Sequence, residues 1–130
     1  MEIEPDTTTP LLVIAACPVD NRPADAPRLS GQIKIKVRKD SLAYRIYQKT
    51  EVAEPFTCNY ELNPDYRGQL EAAGMKVSGV SADGGARIIE LPDHDFFIGT
   101  GFVPQLTSEP GHPHPLIAAF LKAAVQCKAK

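Results

Sequence analysis

The side chains best suited to chemistry in this sequence are three cysteines, Cys17, Cys58 and Cys127, and three histidines, His94, His112 and His114. Cys17 closes the apolar run Leu11-Leu12-Val13-Ile14-Ala15-Ala16 and precedes Pro18, a place where a strand ends and a thiol can be partly exposed. Such a thiol would serve a nucleophilic or redox step as its thiolate; the plain alternative is a packed or incidental cysteine. The cysteines are odd in number and far apart, and no CxxC or Cys/His pair has metal-ligand spacing. That pattern fits free thiols in a reducing compartment. Gly111-His112-Pro113-His114-Pro115 puts two imidazoles at i and i+2 of a rigid extended segment, which could present both rings to a metal. The stripe Lys34, Lys36 and Arg38 is read most simply as the solvated face of a strand, not a nucleic-acid site. Asp83-Gly84-Gly85 is a turn and not a phosphate loop, since neither Lys-Ser/Thr nor a helix start follows it.

Composition narrows the classes further. A chain of 130 residues fits one domain with a real core, and 43% hydrophobic with 23% charged residues is ordinary for a globular protein. A net charge of −2 leaves no electrostatic footprint for nucleic acid. The longest apolar run, Leu11 to Cys17, falls well short of the roughly 20 residues that span a bilayer. The acidic start Met1-Glu2-Ile3-Glu4-Pro5-Asp6 lacks the basic opening of a signal peptide, so a cytoplasmic location is expected. No motif calls for a cofactor.

These residues must be positioned by a small set of elements. Leu11 to Ala16 reads as a buried strand, with no element before it to pair with or cover it. Strict alternation makes Ile33-Lys34-Ile35-Lys36-Val37 a strand with one dry and one wet face. Asp40 or Ser41 caps a short helix carrying Leu42, Tyr44, Ile46 and Tyr47. Glu54 to Leu62 is a further strand, and Asn63-Pro64-Asp65 opens a helix from Tyr66 to Ala73 that stops at Gly74. Met75 to Val80 and Ala86 to Leu91 form a hairpin across Ser81 to Gly85. A turn at Asp93-His94-Asp95 leads into a strand from Phe96 to Phe102, and Pro104 to Pro115 is loop. Leu116 to Cys127 closes the chain as a helix whose apolar face carries Leu116, Phe120, Leu121 and Ala124. Strands followed by a packed helix predict an α/β or α+β layer structure.

Five segments in order, together with the stretch from Phe97 to Gln105, carry a resemblance to the class I glutamine amidotransferase domain of CTP synthase. Arg28-Leu29-Ser30-Gly31 is similar to that family's M-R-L-G turn, and the stretch from Glu54 to Asn63 to its E-R-H-R-H-R-Y-E-V-N. Leu70 to Gly79 matches L-E-x-A-G-L-x-x-x-G, and Ile88 to Phe97 matches I-I-E-x-x-x-H-P-F-F. Pro113 to Leu116 with Phe120 to Ala124 resembles H-P-L-F-x-x-F-x-x-A-A, and Phe97 to Gln105 looks like F-V-x-x-Q-F-H-P-E. The chain is most like the stand-alone CTP synthase C-terminal region-related proteins. The resemblance implies an α/β fold of flavodoxin-like type, a mixed sheet with flanking helices. It covers the C-terminal half of the domain, with residues 1–130 one partial domain and 1–10 a linker or start artefact. In the full fold the N-terminal half supplies the parallel core strands and the nucleophile.

The departures matter as much. At the family's general-base His and its orienting Glu this chain has Val103 and Gln105, and neither can take a proton or balance an imidazolium. Asn59 stands where the family's Arg binds the glutamine α-carboxylate, beside a retained Tyr60, which would be a substrate contact or a core residue. Ala16-Cys17-Pro18 lacks the glycines of a nucleophile elbow and lies too close to Arg28. His94 and His114 have counterparts in a turn and a helix lead-in, which argues against a metal. The expectation is a non-catalytic amidotransferase-like domain acting as a binding, regulatory or assembly module. The alternatives are a CTP synthase-related enzyme using Cys17 or an upstream Cys without the His/Glu pair, and a structural fragment. An open sheet edge would be covered by a second copy, by a separately encoded N-terminal half, or by an upstream segment of the same protein.

Overall fold

The computed structural model describes residues 7–14, 30–57 and 60–128. Its elements are β1 (Leu12–Ile14), β2 (Ser30–Val37), α1 (Leu42–Tyr47), β3 (Glu51–Thr57), β4 (Tyr60–Leu62) and α2 (Pro64–Ala72). They continue with β5 (Lys76–Ser81), β6 (Ala86–Glu90), β7 (Ile98–Thr100), a 3-10 helix (Pro104–Thr107) and α3 (Pro115–Lys128). Five strands form one sheet in the order β3-β2-β5-β6-β7, and β1 pairs with β4 in a second, smaller sheet. Each recorded pairing among the described residues is antiparallel.

Alternation in β2 sorts its side chains as the sequence implies: Ile35 and Val37 are buried while Lys34 and Lys36 stay in water. Ile35, Val37, Val52 and Ile88 meet Ala43 of α1, Phe102 and Leu116 of α3 to form the core. The β2–β5–β6 contact is close enough to require a glycine at Gly79. A Cβ there would lie 2.7 Å from Ile88 Cγ1 and 2.9 Å from Ile35 Cγ2. Ser41 caps α1 by accepting the Tyr44 N–H at 3.0 Å. Asn63 caps α2 through the Asp65 N–H at 3.0 Å, and its amide donates to the Pro10 carbonyl at 2.9 Å, tying β1 to α2.

Several expected boundaries move. The strand expected over Glu54 to Leu62 begins at Glu51 and is recorded as β3 and β4, because Glu51 to Ala53 continue the pairing with β2. The first strand is paired after all, with Leu12 opposite Leu62, a partner distant in sequence. β7 is shorter than Phe96 to Phe102, and the expected loop holds the 3-10 helix. In α3 only Leu116 is buried, while Phe120 and Leu121 are 55% and 57% exposed. The helix packs against α1 and the 3-10 helix, and Phe120 lies against Phe96 with ring centroids 5.7 Å apart, while Leu121 has little cover among the described residues.

Candidate functional site

Phe102 is buried in the core, and the chain then turns outward through Val103 into the 3-10 helix. The Val103 N–H donates to the Pro55 carbonyl at 3.2 Å, and its carbonyl accepts the Leu106 N–H at 3.1 Å. Backbone pairing therefore holds this corner whatever side chain it carries. The Val103 side chain is half-buried, and Gln105 is exposed on the 3-10 helix. Both line an open recess of about 370 Å³ with Phe96, Ile98, Phe102 and Phe120, and no residue lining it is ionisable. An isopropyl group and a carboxamide cannot move a proton at neutral pH, so this recess offers apolar contact and the neutral hydrogen-bonding groups of Thr100 and Gln105.

Tyr60 begins β4, is 38% exposed, and lines a second recess of about 250 Å³ with Leu12, Ile89, Gly99 and Gly101. Its polar floor is Arg87, a residue the sequence reading passed over. Arg87 is only 8% exposed. Its guanidinium reaches Glu61 at 3.0 Å and Asp83 at 3.7 Å, and its Nε–H donates to Ser81 Oγ at 2.9 Å. An arginine inside the apolar run of β6 was the available signal. Cys17 and Asn59 lie outside the described residues, so no geometry joins either to Tyr60 or Val103.

The other missed constellation is Tyr47, Glu54 and His114. His114 Nε2 lies 3.0 and 3.1 Å from the two Glu54 oxygens, while its Nδ1 accepts the Leu116 N–H at 3.2 Å. An Nδ1 that accepts cannot carry a proton, so the imidazole is the neutral Nε2–H tautomer, donating to the carboxylate. Tyr47 donates to Glu54 Oε1 at 2.7 Å. Burial first, and then that bond to the carboxylate, push the Tyr47 phenol well above its ordinary range. With both ring nitrogens engaged, His114 has no lone pair left for general-base work. Its role is to cap α3 and fasten that helix to β3. Period-two alternation with Val52 would have placed Glu54 on the buried face had β3 been started at Glu51.

His112 is exposed and His114 buried, and both border one open recess of about 400 Å³ with Tyr47 and Glu54, where the His114 ring nitrogens are already engaged. Among the described residues no group of three His, Cys, Asp or Glu side chains has metal-binding geometry. None of the described helices is long and apolar enough to cross a membrane.

No family model matches the chain. Relatives and a solved structure do. CTP synthase of Staphylococcus aureus strain NCTC 8325 is 35% identical over 126 residues, 96% of this chain, and that of strain JH9 is 36% identical over 129 residues. The glutaminase domain of Trypanosoma brucei CTPS, solved with bound acivicin, superposes on 93% of this chain with a TM-score of 0.82 and 26% identity. The chain belongs to the CTP synthase glutaminase-domain family. It spans 24% of the length of each of those two CTP synthases, in their C-terminal part, and 48% of the T. brucei chain. Its α/β fold is that of the class I, flavodoxin-like glutaminase domain.

Proposed function

We propose that this chain is a non-catalytic half of a glutamine amidotransferase-like domain, working in the cytoplasm as a binding or assembly module within a CTP synthase-related system. The observation that carries this reading is the corner at Phe102 to Gln105, where the position of the family's base holds Val103 and that of its orienting acid holds Gln105. The recess they line is hydrocarbon apart from Thr100 and Gln105, and that suits a docking contact better than proton transfer. The buried His114–Glu54 pair does not substitute for the missing base, since it is committed to capping α3.

The test is ammonia release from glutamine by the purified 130-residue chain, alongside alkylation of its thiols at neutral pH. The reading expects no turnover above buffer and slow labelling of Cys17 similar to that of Cys127. Glutamine hydrolysis abolished by Cys17→Ala, or rapid selective labelling of Cys17, would overturn it.

A further inference from the structure

Glu90 ends β6 and is only 3% exposed, yet just one of its carboxylate oxygens has a partner. Oε2 accepts the Leu42 N–H at 2.7 Å, which ties β6 to the first turn of α1. Oε1 is buried and has no hydrogen bond among the described residues. A carboxylate oxygen in that position is costly, because it has given up water and received no donor in exchange. Native folds seldom leave one so unless something else supplies the donor.

Glu90 also lines a recess of about 190 Å³. The recess lies between the start of α1, the start of β5 and the turn after β6, and it takes in Asp40, Arg45, Lys76, His94 and Asp95. Two of its charges are already matched to each other. Lys76 Nζ lies 3.0 Å from Asp40 Oδ2 and also donates to the Asp40 carbonyl, and Arg38 holds both Asp40 oxygens at 3.0 and 3.1 Å. Arg45, at the exposed rim, makes no side-chain hydrogen bond or ion pair among the described residues. The recess therefore offers a bare buried acceptor at one point and a bare guanidinium at another.

We propose that this recess binds a small zwitterion of the amino-acid type, with its ammonium on Glu90 Oε1 and its carboxylate on Arg45. An ammonium N–H supplies the missing donor and the opposite charge together, which a water cannot. A metal ion fits less well, since among the described residues no group of three His, Cys, Asp or Glu side chains has the geometry to hold one. A lone cation would face Arg45 and Lys76, and a lone anion would face Glu90, whereas a zwitterion meets both signs. Volume limits the ligand further. At about 30 Å³ of liquid per water, 190 Å³ holds roughly six waters, so the recess suits glycine or alanine better than a long side chain.

The experiment titrates the isotope-labelled full chain with glycine and follows the backbone amides by NMR. The Leu42 N–H reports directly, since it donates to the same carboxylate. Glycine should shift the Leu42 and Lys76 resonances along one saturable curve. Methylammonium should move Leu42 more weakly, and acetate alone should not saturate it. Glu90→Gln keeps an oxygen for the Leu42 N–H while removing the charge, and Arg45→Ala alters an exposed position. Each should weaken glycine binding by about tenfold or more. A Leu42 shift that does not saturate below about 100 mM glycine would overturn the inference. So would acetate that saturates as well as glycine, or a glycine affinity unchanged in either variant. The comparison of glycine, methylammonium and acetate is made on wild type, so it holds even where a variant fails to fold.

Discussion

His114 and Glu54 lie sixty positions apart in the chain and meet at 3.0 and 3.1 Å, both almost fully buried. The imidazole spans two jobs: Nε2–H satisfies a buried carboxylate, and Nδ1 receives the Leu116 N–H at the start of α3. A helix that buries only Leu116 depends heavily on this attachment.

His114→Ala should therefore lower stability by about 2 kcal/mol, since it strips a charge-assisted bond and a helix cap together. His114→Asn should recover part of that loss, because a side-chain oxygen can still cap α3. Urea denaturation followed by circular dichroism measures both, and equal losses in the two variants would mean that capping contributes nothing.

Tyr47 adds an alkaline signature. Its phenol is held protonated in the fold by burial and by Glu54, while the unfolded chain ionises near the ordinary value of 10.0. A raised folded-state pKa contributes stability that is present below pH 10.0 and is lost as pH rises through the folded value. The melting temperature should fall above that pH, and Tyr47→Phe should flatten the fall. An unchanged alkaline limb in the variant would remove Tyr47 as its source.

At acid pH the corresponding group is Asp40, held below its usual range first by the Arg38 hydrogen bond and then by Lys76. Its depressed pKa gives stability that is present above 3.8 and is lost as pH falls below it. Asp40 lies at the surface, so the effect should be small and weaken further with added salt. Thermal melts from pH 5 to 2 of wild type and Asp40→Asn, at low and high salt, supply the comparison.

Gly79→Ala should destabilise the fold by about 1–3 kcal/mol, as an inserted methyl in a filled core does. Its Cβ would press on Ile88 and Ile35, both fully buried and without room to yield. Pairing the change with Ile88→Val, which trims the nearest methyl, should restore part of the loss. Additive losses in the double variant would show that the contact with Ile88 is not the cause.

Much of the architecture was legible locally. Alternation announced β2, the Ser41 and Asn63 caps announced α1 and α2, and the turn from Ser81 to Gly85 announced the β5–β6 hairpin. The family was legible too, because ordered segments survive at positions such as Glu54 and His114 that the fold uses. What escaped was what depends on a distant partner. β3 begins before Glu54 because β2 pairs with Glu51 and Val52, and β1 is paired because β4 returns to it. Arg87 went unread because its partner Glu61, 3.0 Å away in the fold, lies on a different strand.

Side-chain identity alone determined that Val103 and Gln105 can serve neither as a general base nor as a charged partner to one, since proton affinity is a local property. Only the tertiary structure decided where His114 spends its nitrogens, the order of the strands in the described sheet, and that Phe120 and Leu121 of α3 stay exposed while Leu116 is buried. Those outcomes depend on which surfaces the chain brings together, and packing, unlike periodicity, is set by residues far apart in sequence.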